Sequence, residues 1–272
     1  MTQTLRKVAI VGSARIPFCR AYTGYENESN LSMLSTAIGG LAEKCGLKGQ
    51  RVGEVMAGSV ISHSKDFNLA REALLDAGLS PQTPGTTIQI ACGTSLQAAL
   101  TLGAKIATGE IDSGIAAGSD TVSDSPVVLG PKMQKRMIAM SRARTTGEKF
   151  SAFKGFNFGE ITPVAPSTQE PRTGLSMGEH CELMAKQWGI SREAQDVLAL
   201  RSHQNAASAY DAGFHDDLIV SCAGIYKDNN VRPDTSLEKM ATMKPAFDRK
   251  SGKGTLTAAN STPLADGAFF FF

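Results

Sequence analysis

The sequence predicts an α/β protein whose sheet is rich in parallel strands and covered by helices on both faces. Three observations predict it. Short β-prone runs alternate with helical patterns up to Ser123, a longer α-rich segment interrupts this alternation, and a strand-like run returns near residue 255. Alternation of strand and helix is typical of a parallel sheet that helices cover. A chain of 272 residues has room for one such domain with an inserted subdomain.

The first part of the chain consists of strands with helices between them. Strands are predicted at 7–12, 54–61, 86–91 and 113–118. We expect the first of these strands to be buried. Apolar residues at helical spacing between 31 and 45 predict a helix that Gly46 ends. A second helix is predicted to begin with Asp66 as its cap and to end at Gly78.

The third strand leads directly into Cys92 and a helix that reaches Ala107. Unpaired backbone N–H groups and the helix dipole at such a junction favour a thiolate. Small residues at 93–95 leave room for a substrate beside the sulfur. A small, buried, hydrophobic cysteine is the alternative on this stretch alone. Because the helix carries no charge before Lys105, we expect it to be buried on all sides.

The alternation stops after Ser123. Prolines and phenylalanines crowd residues 124–175, which predicts an inserted loop region with local helices. A helix with one apolar face follows, and we expect that face to lie in the core. Its apolar residues are Met177, Cys181, Met184, Ala185 and Trp188. A long helix is predicted from Ser191 to Tyr210.

These patterns divide the chain into four parts. Residues 1–123 form the α/β domain, 124–253 an inserted loop subdomain, and 254–268 a strand, Thr255-Leu256-Thr257-Ala258, that rejoins the sheet. The last four residues, 269–272, are all Phe. No buried strand pattern explains them, so we interpret them as a truncation or an artefact.

Composition excludes several classes of function. A net charge of +2 gives no general argument for nucleic-acid binding. No apolar run approaches the ~20 residues of a transmembrane helix, and the first residues lack the apolar core of a signal peptide. The five cysteines are scattered and form no CxxC pair, which predicts reduced thiols, a cytoplasmic location and no metal site.

The segment Ile90-Ala91-Cys92-Gly93-Thr94-Ser95-Leu96-Gln97-Ala98 resembles the nucleophile motif of the thiolases, which transfer acyl groups between carbon and the sulfur of coenzyme A. Further family-like motifs occur in the family's order at 8–18, 176–178, 191–196, 201–203, 244–248, 255–261 and 266–268. The resemblance covers nearly the whole chain, but only about the first two-thirds of a full-length member. It implies a thiolase-type fold of which this chain carries one of the two α/β repeats.

The resemblance implies covalent catalysis by Cys92. The thiolate attacks the keto carbon of a 3-oxoacyl-CoA, acetyl-CoA leaves, and a second CoA takes the acyl group, or the reverse condensation runs. The backbone N–H of Cys92 is a candidate donor to the oxyanion. Residues 228–230 and 257–263 look most like the 3-ketoacyl-CoA thiolases of fatty-acid β-oxidation, and the acetoacetyl-CoA-forming branch stays open. The alternative is a non-catalytic CoA- or lipid-binding relative, or an inactive fragment.

Other catalytic groups of the family are missing from the sequence. The His of a Gly-His-Pro motif, the second Cys of a Gly-rich loop and the His of an Asn-Glu-Ala-Phe loop have no counterpart here. The resemblance places them in the second repeat, so we expect the 272-residue chain alone to be inactive. The four histidines, His63, His180, His203 and His215, are interpreted as surface or interface residues.

The resemblance also implies a groove for CoA, which is a substrate and not a permanently bound cofactor. By motif position, Ser176 and Met177 would flank its pantetheine, and Phe247 would pack near its adenine. Ala258 and Thr262 would meet the pantetheine amides. For Met177 and Phe247, simple core packing is the alternative.

Basic residues are candidates for the acidic end of CoA and for partners. Arg232 is a candidate phosphate contact. The stretch Lys132–Lys154 carries seven basic residues against Glu148 alone. It is interpreted as a solvated helix, a subunit contact or an attraction for CoA, with a membrane-surface helix as a further alternative. The family suggests a homodimer or homotetramer and a β-oxidation partner subunit.

Overall fold

The computed structural model describes residues 5–272, which fall into two compact units. Unit 1 comprises the chain up to Asp124 together with Gln169–Phe272, and unit 2 is Ser125–Thr168. The strands are β1 (Ser13–Arg15), β2 (Cys19–Arg20), β3 (Glu54–Ala57), β4 (Gly85–Thr87), β5 (Gly114–Asp120), β6 (Val128–Leu129), β7 (Pro163–Val164) and β8 (Ala265–Phe271). The helices are α1 (Asn30–Lys44), α2 (Leu69–Asp76), α3 (Thr94–Thr108), α4 (Pro131–Arg142), α5 (Thr146–Ser151), α6 (Met177–Gln187), α7 (Arg192–Asp211) and α8 (Leu237–Ala241). A 3₁₀ turn occupies Phe158–Ile161.

A mixed sheet in the order β1-β8-β5-β3-β4 forms the centre of unit 1, and β2 pairs with β8 beside it. The pairs β3–β4 and β3–β5 are parallel, whereas β8 is antiparallel to β1, β2 and β5. The predicted α/β class is therefore confirmed, with one antiparallel strand inserted among the parallel ones. The strand-like run at Thr255 does not enter the sheet: Thr257 makes a single bridge to Pro245.

Three of the four C-terminal phenylalanines are strand residues, and the interpretation that no buried strand pattern explains them is wrong. Phe269, Phe270 and Phe271 belong to β8, which lies between β1 and β5. Phe270 is fully buried and packs on the sheet face that α1 and α2 cover. Phe271 packs on the opposite face, with the residues of α3. A strand with a neighbour on each side and helices above and below accepts apolar residues on both faces, so successive Phe residues fit.

Helices α1 and α2 follow the predicted pattern. A capping box at Ser29 and Ser32 begins α1, and Cys45 ends it next to Gly46. The predicted cap at Asp66 is wrong, because Asn68 accepts the hydrogen bond of the Arg71 N–H, at 3.1 Å. The cap must directly precede the first helical residue, and Asn68 occupies that place.

The apolar composition of helix α3 predicted that it would be buried on all sides. The structure shows that it is not. Its residues Thr94, Ala98 and Leu102 are buried against the sheet. Leu96 and Leu100 lie on another side and are 63% and 62% exposed. One stripe of a helix suffices to cover the sheet, so the remaining apolar positions need another partner.

The predicted first strand is also wrong. Residues 7–12 are not strand, and Ile10 and Val11 are each 69% exposed. Strand β1 begins at Ser13 instead, because its neighbour β8 ends at Phe271 and the last bonds of the pair join Phe272 to Val11 and Gly12.

The apolar face of α6 was expected in the core, yet much of it is exposed. Cys181, Met184 and Trp188 face solvent, whereas Glu182 and Ala185 are the buried residues of this helix. The buried side is therefore the one that carries a carboxylate, because Glu182 receives hydrogen bonds from the loop beside it. Periodicity alone did not distinguish the two sides.

A buried ion pair joins β1 to the loop after α7. The guanidinium of Arg15 donates two hydrogen bonds to Asp228, at 2.7 and 2.9 Å, and the Phe18 N–H donates a third, at 2.6 Å. Burial raises the pKa of Asp228, but the hydrogen bonds from Arg15 and Phe18 outweigh it, and the net pKa is lowered. The pair thus anchors the 218–229 segment along β1.

Phe270→Ala should lower the free energy of unfolding by about 3–5 kcal/mol, because it leaves a cavity in the middle of the sheet. Urea unfolding followed by circular dichroism measures this change. The control is Phe67→Ala, whose ring is 94% exposed and should matter little. Equal effects of the two substitutions would contradict the place of β8 in the core.

Candidate active site

Cys92 lies on a tight turn between β4 and α3. Ala91 adopts a left-handed backbone, with φ of 47°, which is strained for a residue with a Cβ. The Thr94 hydroxyl stabilises the turn, because it accepts from the Ile90 N–H at 3.0 Å and donates to the Ala91 carbonyl at 2.7 Å. Gly93 caps α3, so the exposed Cys92 precedes the first turn of the helix. Strained backbone of this kind concentrates at functional sites.

A cavity of about 150 Å³ opens beside the thiol. The residues that line it come from the link between β1 and β2, the ends of β3 and β5, the turn before α3 with the start of that helix, and the middle of β8: Phe18, Gly58, Ala91, Cys92, Thr94, Ser95, Gly118, Ser119, Asp120, Gly267, Ala268 and Phe269. A Cβ on Gly58 would lie 1.9 Å from the Ile88 carbonyl oxygen, so only glycine lets the two strand ends approach at this point. The cavity is thus assembled from segments far apart in the sequence.

Asp120 shapes one wall of this cavity. Its carboxylate accepts hydrogen bonds from the N–H groups of Val60 and Ile61, all at 2.9 Å. Burial raises the pKa of Asp120, and these backbone hydrogen bonds only partly oppose that rise. The carboxylate therefore holds the loop after β3 in place beside the Cys92 cavity.

The histidines make their contacts elsewhere. The pairs are His63 with Asp124, His180 with Thr173, His203 with the backbone N–H of Arg232, and His215 with the ring of Tyr210. In residues 5–272 no histidine is hydrogen-bonded to the Cys92 thiol. None of the four histidines is therefore positioned to deprotonate the Cys92 thiol.

The five thiols differ in access. Cys19 and Cys222 are buried, and burial raises the pKa of both, that of Cys19 to about 11. Cys45 is half-buried, and Cys92 and Cys181 are exposed. The expectation that Cys181 lies in the core with the apolar residues of α6 is wrong, because its side chain is exposed.

A second concavity, of about 670 Å³, lies among the loops of unit 1 that follow α7. We call it the loop groove. Its lining residues are Arg20, His203, Asn230, Arg232, Asp234, Thr235, Lys239, Met243, Ala246, Phe247, Thr257, Ala258, Ala259, Ser261, Thr262 and Pro263. Four of the six residues suggested for CoA thus meet here: Arg232, Phe247, Ala258 and Thr262. Ser176 and Met177 do not line it.

Buried carboxylates hold the walls of the loop groove. Glu182 on α6 accepts from the N–H groups of Thr255 and Leu256, at 2.8 and 2.9 Å. Asp196 on α7 accepts from the Asn260 amide at 2.8 Å, and that amide oxygen accepts the Thr257 N–H at 2.6 Å. Charged acceptors of several N–H groups fix a loop more tightly than neutral ones.

Phe247 packs directly on α6. A Cβ on Gly178 would lie 2.1 Å from its ring, so the glycine of the Ser176-Met177-Gly178 motif provides the space for that ring. Ser176 caps α6 in a capping box, and its hydroxyl donates to Glu179 at 2.8 Å. Met177 follows on the exposed surface.

Sequence reasoning missed three basic residues of the loop groove: Arg20, His203 and Lys239. Arg20 lies more than 180 positions before the others, so no local pattern could join it to them. The Arg201-Ser202-His203 motif was the one available signal, and His203 was interpreted as a surface residue.

Comparison with known proteins decides the family. The family model described as "Thiolase, N-terminal domain" matches residues 8–271. The chain belongs to the thiolase family. The match extends to Phe271, so strand β8 lies within the matched domain.

Individual relatives give the same result. The 3-ketoacyl-CoA thiolase of Serratia proteamaculans is 38% identical over 268 residues, and that of Yersinia enterocolitica 36%. In both cases the match covers 96% of this chain and 61% of the relative. The chain therefore spans about three-fifths of the length of these curated thiolases.

Solved structures agree on the fold. The crystal structure of the Bacillus anthracis acetyl-CoA acetyltransferase matches with a TM-score of 0.79 and 27% identity, covering 98% of this chain and 65% of that one. Human mitochondrial 3-ketoacyl-CoA thiolase, solved in complex with CoA, matches with a TM-score of 0.77 and 24% identity. It covers 96% of this chain and 63% of that one.

Residues 5–272 lack two further features. None of their helices is both long enough and apolar enough to cross a membrane. They also contain no group of three or more His, Cys, Asp or Glu side chains placed to hold a metal ion.

Limiting iodoacetamide should label Cys92 faster than the other exposed thiol, Cys181, because Cys92 stands at a helix N-terminus beside a cavity. Cys19 and Cys222 should stay unlabelled while the protein is folded. Mass-spectrometric peptide mapping gives the order of modification. Cys181→Ser is the matched control and should leave the Cys92 rate unchanged. A folded sample in which Cys92 is spared would contradict the assignment.

Proposed function

We propose that this thiolase chain carries the nucleophile of an acyl transfer between 3-oxoacyl-CoA and CoA. The observation that supports it best is the exposed Cys92 on a strained turn at the start of α3, beside a cavity. In the cleavage direction, the sulfur attacks the keto carbon, the C–C bond breaks, and acetyl-CoA leaves. The sulfur of a second CoA then takes the acyl group from Cys92.

The oxyanion donor is proposed to be the Cys92 backbone itself. The N–H groups of Gly93 and Thr94 donate to the carbonyls of Ile90 and Ala91, at 3.1 and 3.2 Å, so they are occupied. The Cys92 N–H is next to the reacting sulfur and at the helix start. A donor so placed stabilises the tetrahedral intermediate without reorganisation.

We propose that the acid–base groups of the complete reaction come from outside residues 5–272. Each described histidine is engaged away from Cys92. Cleavage of the C–C bond needs a carbanion equivalent to be protonated and a thiol to be deprotonated. On this proposal the chain alone can accept an acyl group but turns over poorly.

We propose that the loop groove binds CoA as a substrate. The Arg232 guanidinium donates to the carbonyls of Asn229 and Val231, at 2.8 and 3.1 Å. It makes no ion pair within residues 5–272, so its charge is available to a phosphate. With Arg20 and Lys239 it would meet the acidic end of CoA.

The remaining candidates are assigned along the same molecule. Phe247 would pack near the adenine, and Ala258 and Thr262 would meet the pantetheine amides. Ser176 and Met177 would flank the pantetheine farther along, outside the loop groove. The alternative, a non-catalytic CoA- or lipid-binding relative or an inactive fragment, is an outcome of the two experiments below.

The oligomeric state, the cellular compartment and a partner subunit are proposed from the family and from the state of the thiols. Homo-oligomerisation, as a dimer or tetramer, would cover the exposed apolar positions Leu96 and Leu100 of α3. All five cysteines are free, which suits a reducing cytoplasm. A partner subunit of fatty-acid β-oxidation is proposed from the resemblance to the family alone.

Acetyl-CoA should transfer one acetyl group to the chain, because a thiolate alone can accept an acyl group. Intact-mass spectrometry detects the adduct. Cys92→Ala should abolish it, and the matched control Cys181→Ala should retain it. No adduct on a folded sample would favour the non-catalytic alternative.

Thiolysis of acetoacetyl-CoA by the 272-residue chain should stay near background, since positioned acid–base groups contribute ~10²–10⁴-fold. Robust Cys92-dependent thiolysis would contradict the proposal that the base lies outside residues 5–272, and His63 and His180 would become the candidates.

CoA should bind weakly to the folded chain, and salt should weaken binding further because phosphates carry the ligand's charge. Arg232→Gln should reduce the affinity about ten-fold, as the loss of one charge-assisted contact does. Isothermal calorimetry measures both. Arg51→Gln, an exposed arginine outside the loop groove, is the control. A folded chain with no CoA binding, or equal effects of the two variants, would remove the groove assignment.

A further inference from the structure

Phe18 lies in the link between β1 and β2, and the proposed acyl transfer gives it no role. The residue ends the motif at 8–18 and lines the cavity beside the Cys92 thiol. It is 38% exposed, whereas a ring that only filled the core would be buried, as Phe270 is. Phe18 therefore borders the space that a group attached to the Cys92 sulfur would enter.

The backbone of Phe18 is fixed by the segment that the Arg15–Asp228 ion pair anchors. Its N–H donates to the Asp228 carboxylate at 2.6 Å, and its carbonyl accepts the Asn229 N–H at 3.3 Å. Two hydrogen bonds from Arg15 hold that carboxylate in turn. Because a charged acceptor fixes its donor more tightly than a neutral one, Phe18 is held in one backbone position.

The ring of Phe18 is held as well. The Arg15 guanidinium carbon lies 5.0 Å from the ring centroid, which is within cation–π distance. Gly267 of β8 lies against the ring, and a Cβ at that position would overlap it. The ring therefore already fills the space beside the β8 backbone and cannot move farther toward it.

Phe18 and Phe269 are the two large apolar side chains that line the cavity. Phe269 belongs to β8 and pairs with Arg15 and Gly118 on the neighbouring strands, so the sheet fixes it. The other lining residues are Gly, Ala, Ser, Thr, Asp and Cys92 itself. Phe18 lies outside the strands, so its side chain can change in size while the sheet stays the same. The size of this one side chain therefore sets the size of the cavity.

The volume of the cavity indicates which groups fit beside the sulfur. At about 150 Å³, it has the volume that accommodates a benzene molecule in a protein interior. An acetyl or butyryl group is of that size or smaller, whereas an octanoyl group is larger. The wall that Phe18 forms thus separates short acyl groups from long ones.

We propose that Phe18 is a specificity-determining residue, which limits the length of the acyl group that Cys92 carries. The inference rests on the proposed acyl transfer. In that step the Cys92 sulfur forms a bond to the acyl carbon, and the bond between that carbon and the CoA sulfur breaks. CoA leaves as a thiol, with the proton that Cys92 gives up. Arg15 and Asp228 are positioning residues, because they act through Phe18.

Acyl transfer from acetyl-CoA and octanoyl-CoA to the 272-residue chain tests the proposal. Intact-mass spectrometry gives the rate of each Cys92 adduct, and the readout is the ratio of the octanoyl rate to the acetyl rate. Phe18→Ala should raise this ratio at least ten-fold, since a single methylene group in a pocket is worth about 10–200-fold. Phe18→Leu should raise the ratio less, and it decides the test if Phe18→Ala does not give a cooperative thermal melt.

The matched control is Phe67→Ala, which removes an exposed ring outside the cavity and should leave the ratio unchanged. An unchanged ratio in the folded Phe18 variants would overturn the proposal. An equal change with Phe67→Ala would overturn it as well.

Alkylation distinguishes a failure of this inference from a failure of the proposed function, because it needs no CoA. In iodoacetamide and in N-hexyliodoacetamide alike, the sulfur displaces iodide. Cys92 should disfavour the hexyl reagent more than the exposed Cys181 does, and Phe18→Ala should remove that difference. This result without any acyl adduct would refute the acyl transfer and support the size limit at Cys92. Equal reagent preference at the two thiols would overturn the size limit.

Discussion

The antiparallel insertion of β8 between β1 and β5 is the constraint on which unit 1 depends. Until the chain returns from residue 265, β1 has no sheet partner, and the groups of β5 that face it are unpaired. The pairing joins residues about 250 positions apart, such as Ala14 and Phe270, so it carries a large loop-closure cost. Apolar side chains on both faces of β8 offset that cost. The same strand lines the Cys92 cavity, so completing the sheet also completes the site.

Buried carboxylates hold the loops beside both candidate sites by accepting hydrogen bonds from them. Asp120 holds the loop after β3, and Glu182 and Asp196 hold the loop of residues 255–260. Asp266, fully buried in β8, accepts from the Val122 N–H at 2.7 Å and so anchors the chain after β5. A buried carboxylate is costly unless several donors meet it. Each of these therefore specifies one loop conformation, and both candidate sites are built from loops fixed in this way.

The two units differ in what their surfaces offer. Unit 1 presents a cavity of about 150 Å³ beside Cys92 and a groove of about 670 Å³. Unit 2 encloses little apolar core, with Met133 its one buried hydrophobic residue among those described, and relies on the Arg136 network for its shape. Phe150 and Phe158 of this unit are exposed, at 76% and 82%.

The sequence by itself determined the strand–Cys92–helix junction, the bounds of α1 and α3 to within a few residues, and the thiolase motifs, because caps, glycines and periodicity act between neighbours. Only the tertiary structure decided which apolar stripes are buried. It placed Phe270 in the core, left Leu96 exposed, and brought Arg20 to the groove that Arg232 lines. Whether a side chain is buried depends on which distant segment packs against it. Strand pairing depends on which strand has a free edge. No local pattern carries that information.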